Sequence, residues 1–149
     1  MAQEQQITLN DLQAYLQGEK LVFLSTVDAE TNTPSVSAIS WVKMYDENSI
    51  RFSISSNSRI VDNLKSNPRV TLALIGLESV YSVIGECNII EEKMEGIAMR
   101  LAKIELKVEN IFNSMFWGAK IVQEPLYEKT YDLEKAKKLD EEVYALLMK

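Results

Sequence analysis

The run Ser53-Ile-Ser-Ser-Asn-Ser-Arg59 concentrates the residues of this chain best suited to holding an anion. Ser55, Ser56 and Ser58 offer hydroxyls and turn backbone, and Arg59 offers a planar fork of N–H donors that matches a phosphate. Ser58 and Arg59 stand where a polar turn enters a short helix, Arg59 to about Ser66. Ile60, Val61 and Leu64 form its apolar face, and Asn67-Pro68 stops it. At such an entry, backbone N–H groups and the positive end of the helix dipole face outward. Upstream, Trp41 and Lys43 share parity on a strand, so an aromatic ring and a cation can point into one groove. Each feature also has a plainer reading. The serines read as turn and cap residues, Arg59 as a solvated helix residue, Lys43 as an edge charge, and Trp41 and Trp117 as core or interface anchors.

What the chain lacks narrows the chemistry further. None of the 149 residues is histidine, which excludes His-based triads, imidazole general bases and His-ligated zinc. The single cysteine, Cys87, permits neither an intrachain disulfide nor a thiolate cluster. It shares strand parity with Tyr81, Val83 and Ile89, so it reads as a buried, inert thiol. Glu91, Glu92 and Glu95 read as solvated carboxylates at a helix start, and no metal site is expected. The net charge is −6, with 8 acidic and 6 basic side chains in residues 1–75 and 14 and 10 in residues 76–149. That balance argues against a phosphate-backbone footprint and hence against nucleic acid. No apolar run approaches the ~18 residues of a membrane span, and MAQEQQITLND has no basic-then-apolar leader. A cytoplasmic protein without membrane contact is expected.

The elements that must position these residues are mostly strands. Thr8, with Asp11 three residues later, predicts a helix start that runs through Leu9, Leu12 and Leu16 to Gly18. Strands are predicted over 20–28, 35–45, 50–54, 69–75 and 79–90. Ile50, Phe52 and Ile54 alternate with Arg51, Ser53 and Ser55 in the cleanest period of two. Ile97, Leu101, Ile104, Val108, Ile111 and Met115, spaced 4, 3, 4, 3, 4, predict a long helix opened by Glu91 and Glu92. Asp132 caps a last helix, about 132–148, with a stripe of Leu133, Ala136, Leu139/Asp140, Val143 and Leu146/Leu147. Strands joined by short turns, without βαβ alternation, predict a mainly β (α+β) fold: a small antiparallel barrel with peripheral helices. Residues 69–75 are apolar on both parities, so they need two covers, the barrel interior and either a helix or a second subunit.

The segment Tyr45 to Val70, YDENSIRFSISSNSRIVDNLKSNPRV, resembles the pyridoxamine-phosphate-oxidase-like FMN-binding split-barrel family. The shared pattern is a strand, a Tyr-Asp-Glu turn, a strand ending in small polar residues, then Ser-Arg opening a helix that closes with Asn-Pro-x-Val. With the preceding strand and SVYSVIGEC, it covers about half the chain. The resemblance implies a single split antiparallel β-barrel domain over 1–149 and an FMN cofactor. It also implies a homodimer with flavin between the subunits, and a small oxidoreductase acting on an unidentified small molecule. By position, flavin contacts fall on Ser40, Trp41, Val42 and Lys43 of one strand, on Ser53 and Ile54 of the next, and on Ser58 and Arg59. Trp117, after Phe112 and Phe116, is the candidate for closing the partner's pocket.

The chain departs from that family at two cations, whose positions fall on Ala38 and Ile60. Losing one charge-assisted hydrogen bond costs roughly 1.5–3 kcal/mol, so with one or both contacts gone FMN affinity is expected to be lower by about one to four decades. No Tyr/Arg/Ser set for pyridoxamine phosphate aligns in residues 97–106, so true oxidase activity is not expected. The alternative is a non-catalytic barrel module that binds another flat ligand, a deazaflavin or haem, or no cofactor.

Overall fold

The computed structural model describes residues 6–149. The chain opens with a 3-10 helix, Leu9–Tyr15, where the Asp11 carboxylate accepts from the Thr8 backbone N–H at 2.8 Å. Seven strands follow: β1 Val22–Val27, β2 Pro34–Ile39, β3 Val42–Asp46, β4 Ser49–Ser55, β5 Arg69–Gly76, β6 Ser79–Glu91 and β7 Leu101–Asn113. Helix α1, Arg59–Ser66, lies between β4 and β5, and α2, Leu133–Leu147, ends the chain. No helix among the described residues is long and apolar enough to cross a membrane.

All strands join one antiparallel sheet in the order β2-β1-β5-β6-β7-β4-β3. β2 and β3 are consecutive in the chain yet lie at opposite edges of that order. The sheet therefore curls, and the corner Ser40–Trp41 passes from one edge to the other. The result is a mainly β split barrel with peripheral helices. Its interior rows follow the pairing register: Leu24–Leu72–Val83 on one side, Ile104–Phe52–Val42 on the other. These side chains are 0–2% exposed; period-two alternation buries one parity of β1 and β5, whereas β4 is buried on both parities and β2, at the sheet edge, on neither.

Two expectations are corrected here. Residues 35–45 form not one strand but two, broken at Ser40–Trp41. Residues 91–115 form no helix: Glu91 ends β6, and 101–113 is β7, paired with both β4 and β6. The 4-3 seam of Ile97 to Met115 coexists with a period-two set, Ala102, Ile104, Leu106 and Val108, interleaved with Lys103, Glu105, Lys107 and Glu109. Strand pairing satisfies that second pattern on both edges of β7 at once, and tertiary pairing overrides helical spacing. Gly85 permits the close β6–β7 approach at the register shift, since a Cβ there would stand 1.9 Å from the Lys107 carbonyl oxygen.

Helix α2 has its Asp132 cap, where the carboxylate accepts from the Lys135 N–H at 3.0 Å. It buries Ala136, Asp140, Val143 and Leu147 against the outer surface of the barrel, whereas Leu133 is exposed. Three polar ties dock it beside the Ser40–Trp41 corner. The Tyr144 hydroxyl accepts from the Glu19 N–H at 2.8 Å and donates to the Ser40 carbonyl at 3.1 Å. Trp41 Nε1 donates to Asp140 at 2.7 Å, and Arg51, stacked 3.5 Å above the Tyr45 ring, donates to the Leu147 carbonyl at 3.1 Å. This placement brings the C-terminal quarter of the chain next to residues 37–41 and 53–60.

Candidate functional site

A groove of about 550 Å³ runs along that corner. Its walls are Ser37, Ala38, Ile39, Ser40 and Trp41 on one side and Ser53, Ile54, Ser55, Ser58 and Ile60 on the other, with Lys129 and Tyr131 at the third. The volume falls within the roughly 300–1,000 Å³ typical of small-ligand sites. Each wall has a local cause. The β2–β3 corner supplies the first, because the Ser40 carbonyl turns to accept from the Val42 N–H at 2.9 Å and so leaves the strand path. The end of β4 and the entry of α1 supply the second, where Ser58 caps the helix by accepting from the Ile60 N–H at 3.1 Å.

Ser53 is the unusual member. Its main chain is secured, with its N–H donating to the Trp41 carbonyl at 3.0 Å. Its hydroxyl is not: Ser53 is 2% exposed, and Oγ has no hydrogen-bond partner among the described residues. A buried hydroxyl without a partner costs roughly 1–3 kcal/mol, which sets Ser53 apart from the other lining residues of the groove. Its cross-strand neighbour Lys103, 4% exposed, is bound to Glu91 at 3.2 Å.

Of the eight residues singled out from the sequence, the groove brings together Ser40, Trp41, Ser53, Ile54 and Ser58. The other three stand apart. Val42 is a core residue, 2% exposed. Lys43 lies over the Tyr144 ring, 5.8 Å from its centroid, rather than in the groove with Trp41. Arg59 turns to the far side of α1, where its guanidinium donates to Asp28 at 3.0 Å and its side chain is 80% exposed. Hydrogen bonds from Thr31 and Arg59 hold the Asp28 carboxyl below the usual carboxylate range.

The sequence did not single out Ser37 and Ile39 of β2, nor Lys129 and Tyr131 from the C-terminal part. Lys129 lines the groove and binds the Asp140 carboxylate at 3.1 and 3.3 Å. Burial disfavours its ammonium, but the hydrogen bond and charge of Asp140, with Tyr127 and Tyr131, outweigh that and raise Lys129 above the ordinary lysine range. The one available signal was Asp140 itself, a carboxylate within the apolar stripe of α2, which implies a buried partner. Cys87 is outside the site; burial, with Glu86 nearby, pushes its thiol up to about 12, as expected for an inert core sulfur.

A family model described as pyridoxamine 5'-phosphate oxidase matches residues 9–115. The chain belongs to this family. Among solved structures the oxidase-family chain is similar to HupZ of Group A Streptococcus, with a TM-score of 0.59 and 18% identity over 76% of this chain and 98% of HupZ. An F420 reductase gives 0.56 and 19%, over 67% and 94% of the two chains. HutZ, the haem storage protein of Vibrio cholerae, gives 0.54 and 18%, over 70% and 92%. At such identities the likeness establishes the fold alone. No curated protein matches. The family match spans all seven strands and α1 but ends at 115, before Lys129, Tyr131 and Asp140. The oxidase-family part thus supplies two walls of the groove and the C-terminal part supplies the third.

Proposed function

We propose that this chain is an FMN-binding flavoprotein. In this reading it is a single-domain, cytoplasmic, homodimeric small oxidoreductase of the pyridoxamine-phosphate-oxidase-like family, and not a pyridoxamine phosphate oxidase. The observation that carries the reading is the unpartnered Ser53 hydroxyl at the wall of a groove of ligand size, beside an aromatic ring and a turn rich in small polar residues. FMN supplies electron or hydride transfer when bound. The protein's part is to bind and orient it. Ser53 offers a hydrogen bond to a polar edge, Trp41 and Ile54 offer apolar surface, and Ser58 with the first turn of α1 offers donors to an anion. With no histidine in the chain, and with Lys129 and Tyr131 the titratable groups of the lining, protons exchange with solvent.

A second copy of the chain is the fitting cover for the outer sheet face. Thr71, Ala73 and Ile75 of β5 alternate with the core residues Val70, Leu72 and Leu74 and are only partly buried, with Phe23 and Ala38 beside Ala73 in the β1 and β2 register. Ala38 also belongs to the groove, so a subunit on this face closes the groove's open side. Phe116 and Trp117, 71% and 97% exposed, extend from the end of β7 and suit the same role. Sedimentation at the mass of a dimer is expected; a monomer at micromolar concentration would overturn the homodimer.

The test is direct. FMN at 100 times its Kd stabilises the protein by about 2.7 kcal/mol, which raises Tm by roughly 5–10 °C for a chain of this size. An unchanged Tm, with no yellow absorbance in the purified protein, overturns the flavin reading. The fold's presence in an F420 reductase and in a haem storage protein favours one second reading, a barrel that holds a deazaflavin or haem in the same groove without catalysis. For haem, Tyr131 is the lining residue of a type that ligates iron.

A further inference from the structure

The groove has lost its expected cations in a particular place. Ala38 and Ile60, where the resemblance puts basic residues, both line it, one on β2 and the other in the first turn of α1. Arg59, the remaining candidate, is not among the residues that line the groove; it pairs with Asp28 on the other side of α1. A third residue of the same lining is a cation that belongs to neither strand nor α1: Lys129, on the loop that leads into α2. Its side chain is 24% exposed, so the ammonium is sheltered but reachable.

Lys129 is also held in place. Asp140 lies on α2, is 3% exposed, and takes the Lys129 ammonium on both oxygens and the Trp41 indole N–H on one of them. Trp41 is itself a wall of the groove, so the three side chains connect the β2–β3 corner, α2 and the loop. Two donors from fixed elements share the carboxylate, and a lysine ammonium has three N–H donors. Lys129 therefore keeps donor capacity beyond its bonds to Asp140, and it lines both this groove and the neighbouring cavity that contains Asp140. Asp140 offsets the charge of Lys129, so what the pair offers an anion is an oriented N–H donor that loses less side-chain freedom on binding than a mobile surface lysine does.

We propose that Lys129, set by Asp140 and Trp41, is the cation that receives the anionic group of the groove's ligand, in place of the basic residues absent at positions 38 and 60. The inference rests on the flavin reading for the identity of the ligand, a phosphate monoester, and assigns Asp140 and Trp41 as positioning residues. It also makes the third wall, outside the family-matched span, part of the binding site.

The experiment compares FMN with riboflavin, which has the same ring and no phosphate, on the full chain and on Lys129→Met and Lys129→Met/Asp140→Asn. The double variant removes both charges, so it does not leave a buried carboxylate alone. Dissociation constants come from flavin fluorescence, and circular dichroism checks that α2 remains folded. FMN is expected to bind about ten- to hundredfold more weakly to both variants, with riboflavin unchanged. Equal loss for the two flavins, or no loss for FMN, overturns the assignment of Lys129. If the unaltered protein binds neither flavin, the flavin reading itself fails, and inorganic phosphate decides the inference. Thermal stabilisation by phosphate that both variants lose upholds it; the same response in all three proteins overturns it.

Discussion

Replacing Ser53 by alanine separates a site from a structural residue, because the two roles predict opposite signs. The Ser53 hydroxyl is buried and unpartnered among the described residues. Removing it deletes a desolvated polar atom whose burial costs roughly 1–3 kcal/mol, against the lost packing of one oxygen. The net expectation for the ligand-free protein is a gain of about 1 kcal/mol, seen as a rise in Tm of roughly 2–4 °C. Ser79→Ala is the control. Ser79 is also buried, but its hydroxyl donates to Asn113 at 2.8 Å, so its removal should lose about 1 kcal/mol. Flavin affinity should move the other way for Ser53→Ala: a neutral hydrogen bond lost from the complex weakens binding by roughly three- to tenfold. Thermal unfolding without ligand and flavin fluorescence titration measure the two quantities on the same samples. A Ser53→Ala protein that is less stable than the parent, or that binds flavin equally well, would refute the reasoning from the orphaned hydroxyl.

Three further outcomes follow from the packing. Tyr144→Phe removes the bridge between the Glu19 N–H and the Ser40 carbonyl. It should cost about 1–2 kcal/mol in denaturant unfolding, both ends being able to regain water, and a change within error would mean that α2 docks without it. Gly85→Ala drives a Cβ to 1.9 Å from the Lys107 carbonyl oxygen and should destabilise by several kcal/mol; near-native stability would contradict the tight β6–β7 register. Cys87, with its folded thiol at about 12, should resist thiol reagents at neutral pH until the protein unfolds. The unfolded thiol ionises near its ordinary value and the folded one does not, so this contribution is intact below about pH 9 and is lost as pH rises toward 12, by up to about 4 kcal/mol. Comparison with Cys87→Ala across that range isolates it, and parallel curves would count against a buried thiol.

Much of the architecture was legible because each local pattern agreed with the eventual packing. Ile50, Phe52 and Ile54 alternate and are buried together, Ser58 caps α1 as its position demands, and Asp132 caps α2. Residues 101–113 misled because a 4-3 set and a period-two set overlap there, sharing Ile104 and Val108. Only the need of β4 and β6 for a common partner selects the strand, and that need is non-local. The site was legible in part for a related reason. Trp41, Ser53 and Ser58 sit on adjacent elements, so strand parity and the turn bring them near one another. Lys43 was expected to follow Trp41, but the chain breaks from β2 to β3 at Ser40–Trp41, and the parity argument does not cross that corner. Arg59 was expected at the anion seat by its sequence position, yet Asp28, 31 residues earlier, captures it. Lys129 and Asp140 could not be tied to Trp41 from sequence, since 99 residues separate Trp41 from Asp140 and only the docking of α2 joins them.

The central claim is that the corner between β2 and β3, the end of β4 and the entry of α1 forms a flavin site. Nitrogen-15 NMR of the protein titrated with FMN tests it most directly, because the Trp41 indole N–H and the amides of Ser53, Ile54 and Ser58 all report on the groove. These signals are expected to shift together and to saturate with one FMN per chain. Shifts confined to the Asp28–Arg59 side of α1, with Trp41 and Ser53 unmoved, would contradict it.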